Sequence, residues 1–248
     1  MSAQKIYFIS DAHLGTPNIL RSYQEQEDSL ISFLRSIRKD AEILYIVGDL
    51  FDFWFEYRTA VPKTGARILF ELYILVQSGV RILYLPGNHD IWLGSYLSKQ
   101  VGIELPSSPL TTLHQDLRFF ILHGDNFQVD WKYQTSQALL KNPICIALFR
   151  LIHPDLGSFI ARTVSRITNH SRHHPKSDKD TFLSTFQKKF EDGYQVIVCG
   201  HYHQAFLQTF STGTLVVLGD WIRQDTYAVL NNGRIKLKKW RNENFISK

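Results

Sequence analysis

Sulfur is scarce in this chain: two cysteines and one methionine in 248 residues. Cys145 and Cys199 stand alone, without the spacing of a disulfide framework or a thiolate metal site, so both are expected as reduced thiols. No run of about 18 apolar residues occurs, which removes a membrane-spanning helix. The start of the chain lacks a basic stretch followed by an apolar one, so no signal peptide is expected and the location is read as cytoplasmic. A strong charge of either sign is missing too: the net charge is +5. The long basic, aromatic-interleaved stripe of a strand-tracking protein is not there, which argues against nucleic acid as a partner. Apolar and charged fractions of 44% and 21% are those of an ordinary globular chain. The length suits one domain over 1–248 with a core that needs no staples.

Histidine, by contrast, is plentiful. There are ten, and five fall in short motifs placed just after apolar runs. Lys5 to Ser10 reads as a buried strand and ends at Asp11-Ala12-His13. In an extended chain the period of two points Asp11 and His13 the same way. Ile43 to Val47 is a second strand, ending at Gly48-Asp49, with Asp52 available for local capping. Val80 to Leu85 is a third, ending at Gly87-Asn88-His89-Asp90. Arg118 to Leu122 runs into His123-Gly124-Asp125, and Gln195 to Cys199 into Gly200-His201-Tyr202-His203, another pair read as pointing one way.

Helical spacing fills the gaps: Glu25 to Lys39, a helix between Thr64 as N-cap and Gly79 as C-cap, Leu93 to Leu105 in part, and Thr181 to Glu191. The order β-α-β-α-β predicts right-handed crossovers and neighbouring parallel strands in an α/β fold. Further strands are expected at Leu215 to Leu218, Tyr227 to Leu230 and Arg234 to Leu237, the last two joined by an Asn231-Asn232-Gly233 turn. His114 reads as a surface residue before a strand. Residues 128–180 break the rhythm and form a helical insertion with interleaved arginines, either lying on a membrane surface or packed on the body. His170, His173 and His174 fall in a polar loop within it.

Asp11, His13, Asp49, Asn88, His123, His201 and His203 thus form a nitrogen and oxygen donor set without sulfur. Such a set disfavours a structural zinc site and suits Mn, Fe or Zn in a two-metal centre. Two cations about 3.5–4 Å apart can clamp an in-line displacement at phosphorus.

The runs ISDAHLG, VGDLFDFW, PGNHD, ILHGD and CGHYHQ resemble the calcineurin-like metallophosphoesterase superfamily over Lys5 to about Trp221. Within it they are similar to the UDP-2,3-diacylglucosamine pyrophosphohydrolases of lipid A synthesis. The resemblance implies a two-layered β-sheet sandwich flanked by helices, with the insertion as a lid for acyl chains. It implies two divalent ions, Mn²⁺ foremost, with Asp11, His13, Asp49 and His203 holding one. Asp49, Asn88, His123 and His201 would hold the other. His89 would contact the phosphoryl oxygen, oriented by Asp90, and Asn126, Arg162 and Arg166 would touch sugar or phosphate. Histidine at 89 is the general superfamily pattern, whereas the best-known members of that branch carry arginine there. The implied reaction splits UDP-2,3-diacylglucosamine into lipid X and UMP at the inner leaflet of the membrane. The alternative is a soluble phosphodiesterase or phosphatase with a non-lipid substrate.

Overall fold

Short apolar runs bounded by turns become the strands. In the computed structural model, which describes residues 4–16, 21–125, 135, 140, 142–160, 163, 179–240 and 242–245, they are β1 (Lys5–Ile9), β2 (Ala41–Val47) and β3 (Arg81–Leu85). Next come β4 (Leu110–His114), β5 (Leu117–Leu122), β6 (Val196–Cys199), β7 (Phe206–Thr209) and β8 (Thr214–Val217). The chain closes with β9 (Thr226–Asn231), β10 (Arg234–Lys239) and β11 (Asn242–Phe245). The helices are α1 (Tyr23–Ile37), α2 (Ala66–Gln77), α3 (Pro143–Phe149) and α4 (Lys179–Glu191).

Two sheets result, a six-stranded one in the order β11-β10-β9-β1-β2-β3 and a five-stranded one in the order β4-β5-β6-β8-β7. Strands β1, β2 and β3 pair in parallel, as the β-α-β-α-β order requires. Period-two side chains explain the layering. Phe8, Tyr45, Val47 and Leu85 of the first sheet meet Phe119, Ile121, Val198 and Val216 of the second in one core. The outer face of the first sheet packs on α1 and α2 through Ile9, Leu30, Phe33, Ile68 and Leu72. The outer face of the second takes Phe186 and Phe190 of α4. The architecture is therefore helix, sheet, sheet, helix. No described helix is long and apolar enough to cross a membrane.

Several elements differ from the sequence expectation. Helix α2 is capped by Gly65, not Thr64, and its C-cap is Ser78 with Gly79 one residue beyond, at φ 92°. In place of a helix from Leu93, the Glu56 carboxylate takes the N–H groups of Gly94 and Tyr96, and only a π-turn over Leu97–Val101 forms. His114 is not a surface residue before a strand. It ends β4, half-buried, with Nε2 2.7 Å from the Tyr45 hydroxyl. Strand β4 (LTTLH) has no apolar run because it is the outer strand of its sheet. Asn232 and Gly233 both have positive φ, so the expected β9–β10 turn is there. Of the insertion read over 128–180, the described residues include α3 and a second helical stretch over 154–160, with a turn over 150–153 between them. His170, His173 and His174 lie outside the described residues.

Candidate metal centre

The five motifs leave β1, β2, β3, β5 and β6, and the two stacked sheets bring those ends to one place. The loops do not continue the strands in extended form. Asp11, His13, Asp49, His201 and His203 all have φ between 44° and 68°, a left-handed region that side chains usually avoid. Asp11 and His13 still turn to one place, as expected, though not through extended backbone; the expectation that H-x-H points both side chains alike is corrected. His203 joins Asp11 and His13, while His201 joins Asp49 and His123. Backbone held in a sparsely populated region commonly marks a functional site. Gly48 serves the same end: at φ 82° it brings the turn so close that a Cβ would overlap the His123 ring.

The distances define two outer clusters, Asp11/His13/His203 and Asp49/His123/His201, joined by a third group of His13, Asp49 and His89. Asp11 Oδ1 lies 3.6 Å from His13 Nε2 and 3.5 Å from His203 Nε2. Asp49 Oδ2 lies 3.6 Å from His13 Nε2 and 3.3 Å from His123 Nε2. Asp49 thus stands between the clusters, and Asn88 Oδ1 adds an amide oxygen 3.2 Å from His123 Nε2. Asp11 Oδ1 and His13 Nε2 are buried with no hydrogen-bond partner among the described residues. Buried polar atoms seldom stay unpaired, and converging nitrogen and oxygen donors around such orphans fit divalent cations. The residues present therefore suit the two ions expected from the sequence.

Four of the ligand candidates are held from behind. Ser10 and the N–H of His201 bond Asp11 Oδ2, leaving Oδ1 to the centre. The N–H of His89 takes Asp49 Oδ1 at 2.8 Å, leaving Oδ2. His123 Nδ1 is 2.9 Å from the carbonyl of Val47, which fixes the tautomer that frees Nε2. His203 Nδ1 faces Asp220 Oδ2 at 3.8 Å. Asp220 itself accepts from the N–H groups of Ile222 and Arg223 at 2.9 and 2.6 Å. Sequence reading missed Asp220 because it belongs to no histidine motif; its signal is the Gly-Asp pair after β8.

His89 sits beside the first cluster, its ring centroid 4.7 Å from that of His13. Its Nδ1 lies 3.3 Å from Asp52 Oδ1. Asp52, read from the sequence as a local cap, turns its buried carboxylate to His89 and His13 instead. The carboxylate that faces His89 is thus Asp52 and not Asp90, from which the orienting contact was expected. Asp90 is buried and binds Tyr84 and the N–H groups of Gly87, Asp49 and Phe51, which ties the second and third motif loops together. Burial, with the nearby charge of Asp49, raises its pKa to about 6.

The electrostatics follow from many charges in little water. Burial opposes the charge on His13, but the carboxylates of Asp11, Asp52 and Asp49 outweigh it and lift the pKa to about 10. Burial likewise opposes protonation of His123, and Asp49 overrides it. Asp49 stays well below the usual carboxylate range, against its own burial, through His123, His89 and His13. A cation arriving here replaces protons as the partner of these carboxylates. Asn126, Arg162 and Arg166 lie outside the described residues.

Beside this centre, between the 52–64 loop and the helical turn over 154–160, lies a cavity of about 520 Å³; this helical turn and α3 are together called the arm. Leu14, Asp52, Phe53 and Lys63 line it on the body side, and Ser158 and Phe159 on the arm.

Comparison with known proteins agrees with this reading. The model of the calcineurin-like phosphoesterase family matches residues 4–205. A UDP-2,3-diacylglucosamine hydrolase of Porphyromonas gingivalis is 31% identical, with 94% of this chain and 97% of that protein covered. The protein of that name from Haemophilus influenzae is 29% identical over 87% of this chain and 90% of its own. A solved archaeal phosphodiesterase superposes with a TM-score of 0.49 at 15% identity, covering 95% and 99% of the two chains. With a family model spanning most of its length and the metal-binding chemistry in place, this chain belongs to the calcineurin-like phosphoesterases, hydrolases of phosphoester bonds.

Proposed function

We propose that the protein hydrolyses the pyrophosphate of UDP-2,3-diacylglucosamine to lipid X and UMP, using two divalent cations, Mn²⁺ foremost. The observation that carries this is the run of three Asp/His groups linked through His13 and Asp49, beside a cavity that Asp52 lines together with the arm. The full-length likeness to the Porphyromonas hydrolase supports the choice of substrate. Asp11, His13, Asp49 and His203 would hold one ion, and Asp49, Asn88, His123 and His201 the other. Bound there, the ions would draw charge from the phosphoryl oxygens and make a water acidic enough to attack near neutral pH.

The chain's own groups do the rest. Attack on the α-phosphorus breaks its bond to the bridging oxygen. The water oxygen stays with UMP, and the bridging oxygen leaves with the phosphorylated sugar. His89, with Nδ1 held by Asp52, presents its other nitrogen to the phosphoryl group and supplies a proton to the leaving oxygen. An arginine at this place would supply a fixed cation only. Asp90 keeps the two loops in register. Asn126, Arg162 and Arg166 are proposed contacts to sugar or phosphate. Residues 128–180 form an insertion within a single domain over 1–248.

The arm's apolar side chains favour a lipid substrate over a soluble one. Ile144, Leu148, Leu151 and Phe159 are 68%, 60%, 82% and 68% exposed. An apolar patch of this kind suits insertion into the face of a bilayer, so the protein would work at the inner leaflet, peripherally and from the cytoplasm. The test is release of UMP from UDP-2,3-diacylglucosamine in detergent by metal-loaded protein. Turnover of small soluble diesters alone would favour the soluble phosphodiesterase reading instead.

A further inference from the structure

The arm touches the body at few points. No residue of α3 is buried, and over 154–160 the one buried residue is Gly157. Phe149, at the end of α3, sets its ring among body rings: Phe55 at 4.7 Å, Trp92 at 5.0 Å, Phe53 at 6.2 Å and Tyr57 at 6.4 Å between centroids. At Gly157 the fit is closer still. A Cβ there would overlap the Tyr57 hydroxyl and come within 3.2 Å of the Phe149 ring. The Tyr57 hydroxyl is buried with no hydrogen-bond partner among the described residues. It therefore acts at this contact as a volume and not as a bond. The body rings ride on the catalytic loops. Phe53 follows Asp52, Trp92 comes three residues after His89, and Phe55 and Trp92 form a β-bridge. The arm is registered against the same loops that hold His89, and the cavity lies in the gap.

We propose that the seat of Tyr57 on Gly157, backed by Phe149, is a spacer that sets the gap between arm and body. The spacer makes the enzyme select a substrate long enough to span that gap. This rests on the glycolipid reading above. Gly157 is a sharp place to test it, because its backbone is in the ordinary helical region. Alanine is the better helix former there, so a loss in Gly157→Ala comes from the contact and not from helix propensity.

The experiment compares metal-loaded full chains: wild type, Gly157→Ala, Gly157→Ala with Tyr57→Phe, and Phe149→Ala. Each is assayed with UDP-2,3-diacylglucosamine in detergent and with bis(p-nitrophenyl) phosphate, a diester too short to span the gap. Hydrogen exchange over 143–160 is followed without substrate. Gly157→Ala should speed that exchange and lower kcat/KM for the glycolipid by about ten- to a hundredfold, the scale of an ångström-sized misplacement. The loss should fall mainly in KM, with the short diester unchanged. Tyr57→Phe in the same chain removes the overlapping atom and should restore both readings. Phe149→Ala should show the loss on the glycolipid alone. Unchanged glycolipid turnover in Gly157→Ala, equal loss on both substrates, or no rescue by Tyr57→Phe would each overturn the spacer. A wild type that cleaves the short diester but not the glycolipid overturns the assigned substrate. The spacer then stands on exchange alone, and unchanged exchange in Gly157→Ala sinks it.

Discussion

Three side chains would bear the chemistry on the proposed function, and each has its own expected failure. His89→Ala should lower kcat by roughly 10²–10⁴, the usual worth of acid–base help, while metal content stays at the wild-type level. Normal turnover would take His89 out of the reaction. Asp52→Asn should keep the ions and shift the acidic or basic limb of the pH–rate profile, because the partner of His89 Nδ1 changes. An unmoved profile would reduce Asp52 to packing. Asp49→Ala should empty both ion positions by elemental analysis, since one oxygen faces both clusters. pH acts through the same groups. His13 and His123 have raised pKa values in the ion-free protein, near 10 for His13, because facing carboxylates outweigh burial. They are protonated at neutral pH, so a cation must expel protons to bind. Apparent affinity should then weaken by about tenfold per displaced proton for each pH unit lowered. Calorimetric titrations at several pH values read this directly, and a flat affinity would refute it.

At the scale of elements, the strand ends were legible because a buried strand is an apolar run and a turn residue stops it. Val47 into Gly48-Asp49 and Leu122 into His123 are instances. What could not be read was the loop conformation. Nothing in H-x-H says that His201 and His203 leave the extended region, and that departure goes with their separation into different clusters. Edge strands β4 and β7 were hidden for a plainer reason: with one neighbour each they need no continuous apolar run. Nor does spacing tell that Glu56 would take up the N–H groups a helix after Leu93 would need. Helix α1 was legible, and its cost can be checked. Phe33 is fully buried against the rings of Tyr7, Trp221, Tyr227 and Trp240. Phe33→Ala should cost about 3–5 kcal/mol, the range for a large core deletion, in urea unfolding. A loss near zero would mean that the packing around α1 is looser than described.

Over the whole molecule, body and arm divide the work. On the proposed function the body would hold the reaction and the arm would meet the lipid, so the two should be separable. Ile144→Asp with Leu151→Asp should abolish co-sedimentation with anionic vesicles and leave hydrolysis of a short soluble diester at wild-type rate. Vesicle binding that survives both changes would remove the arm from the membrane. The body itself is divided in another way. Asp11, Asp49 and Asn88 hang from the six-stranded sheet, whereas His123 and His201 hang from the five-stranded one. A nascent chain owns half of each nest until its halves have closed on each other. Ion capture would accordingly follow that closure, and an ion once seated would be a rivet whose removal loosens the seam between the halves first.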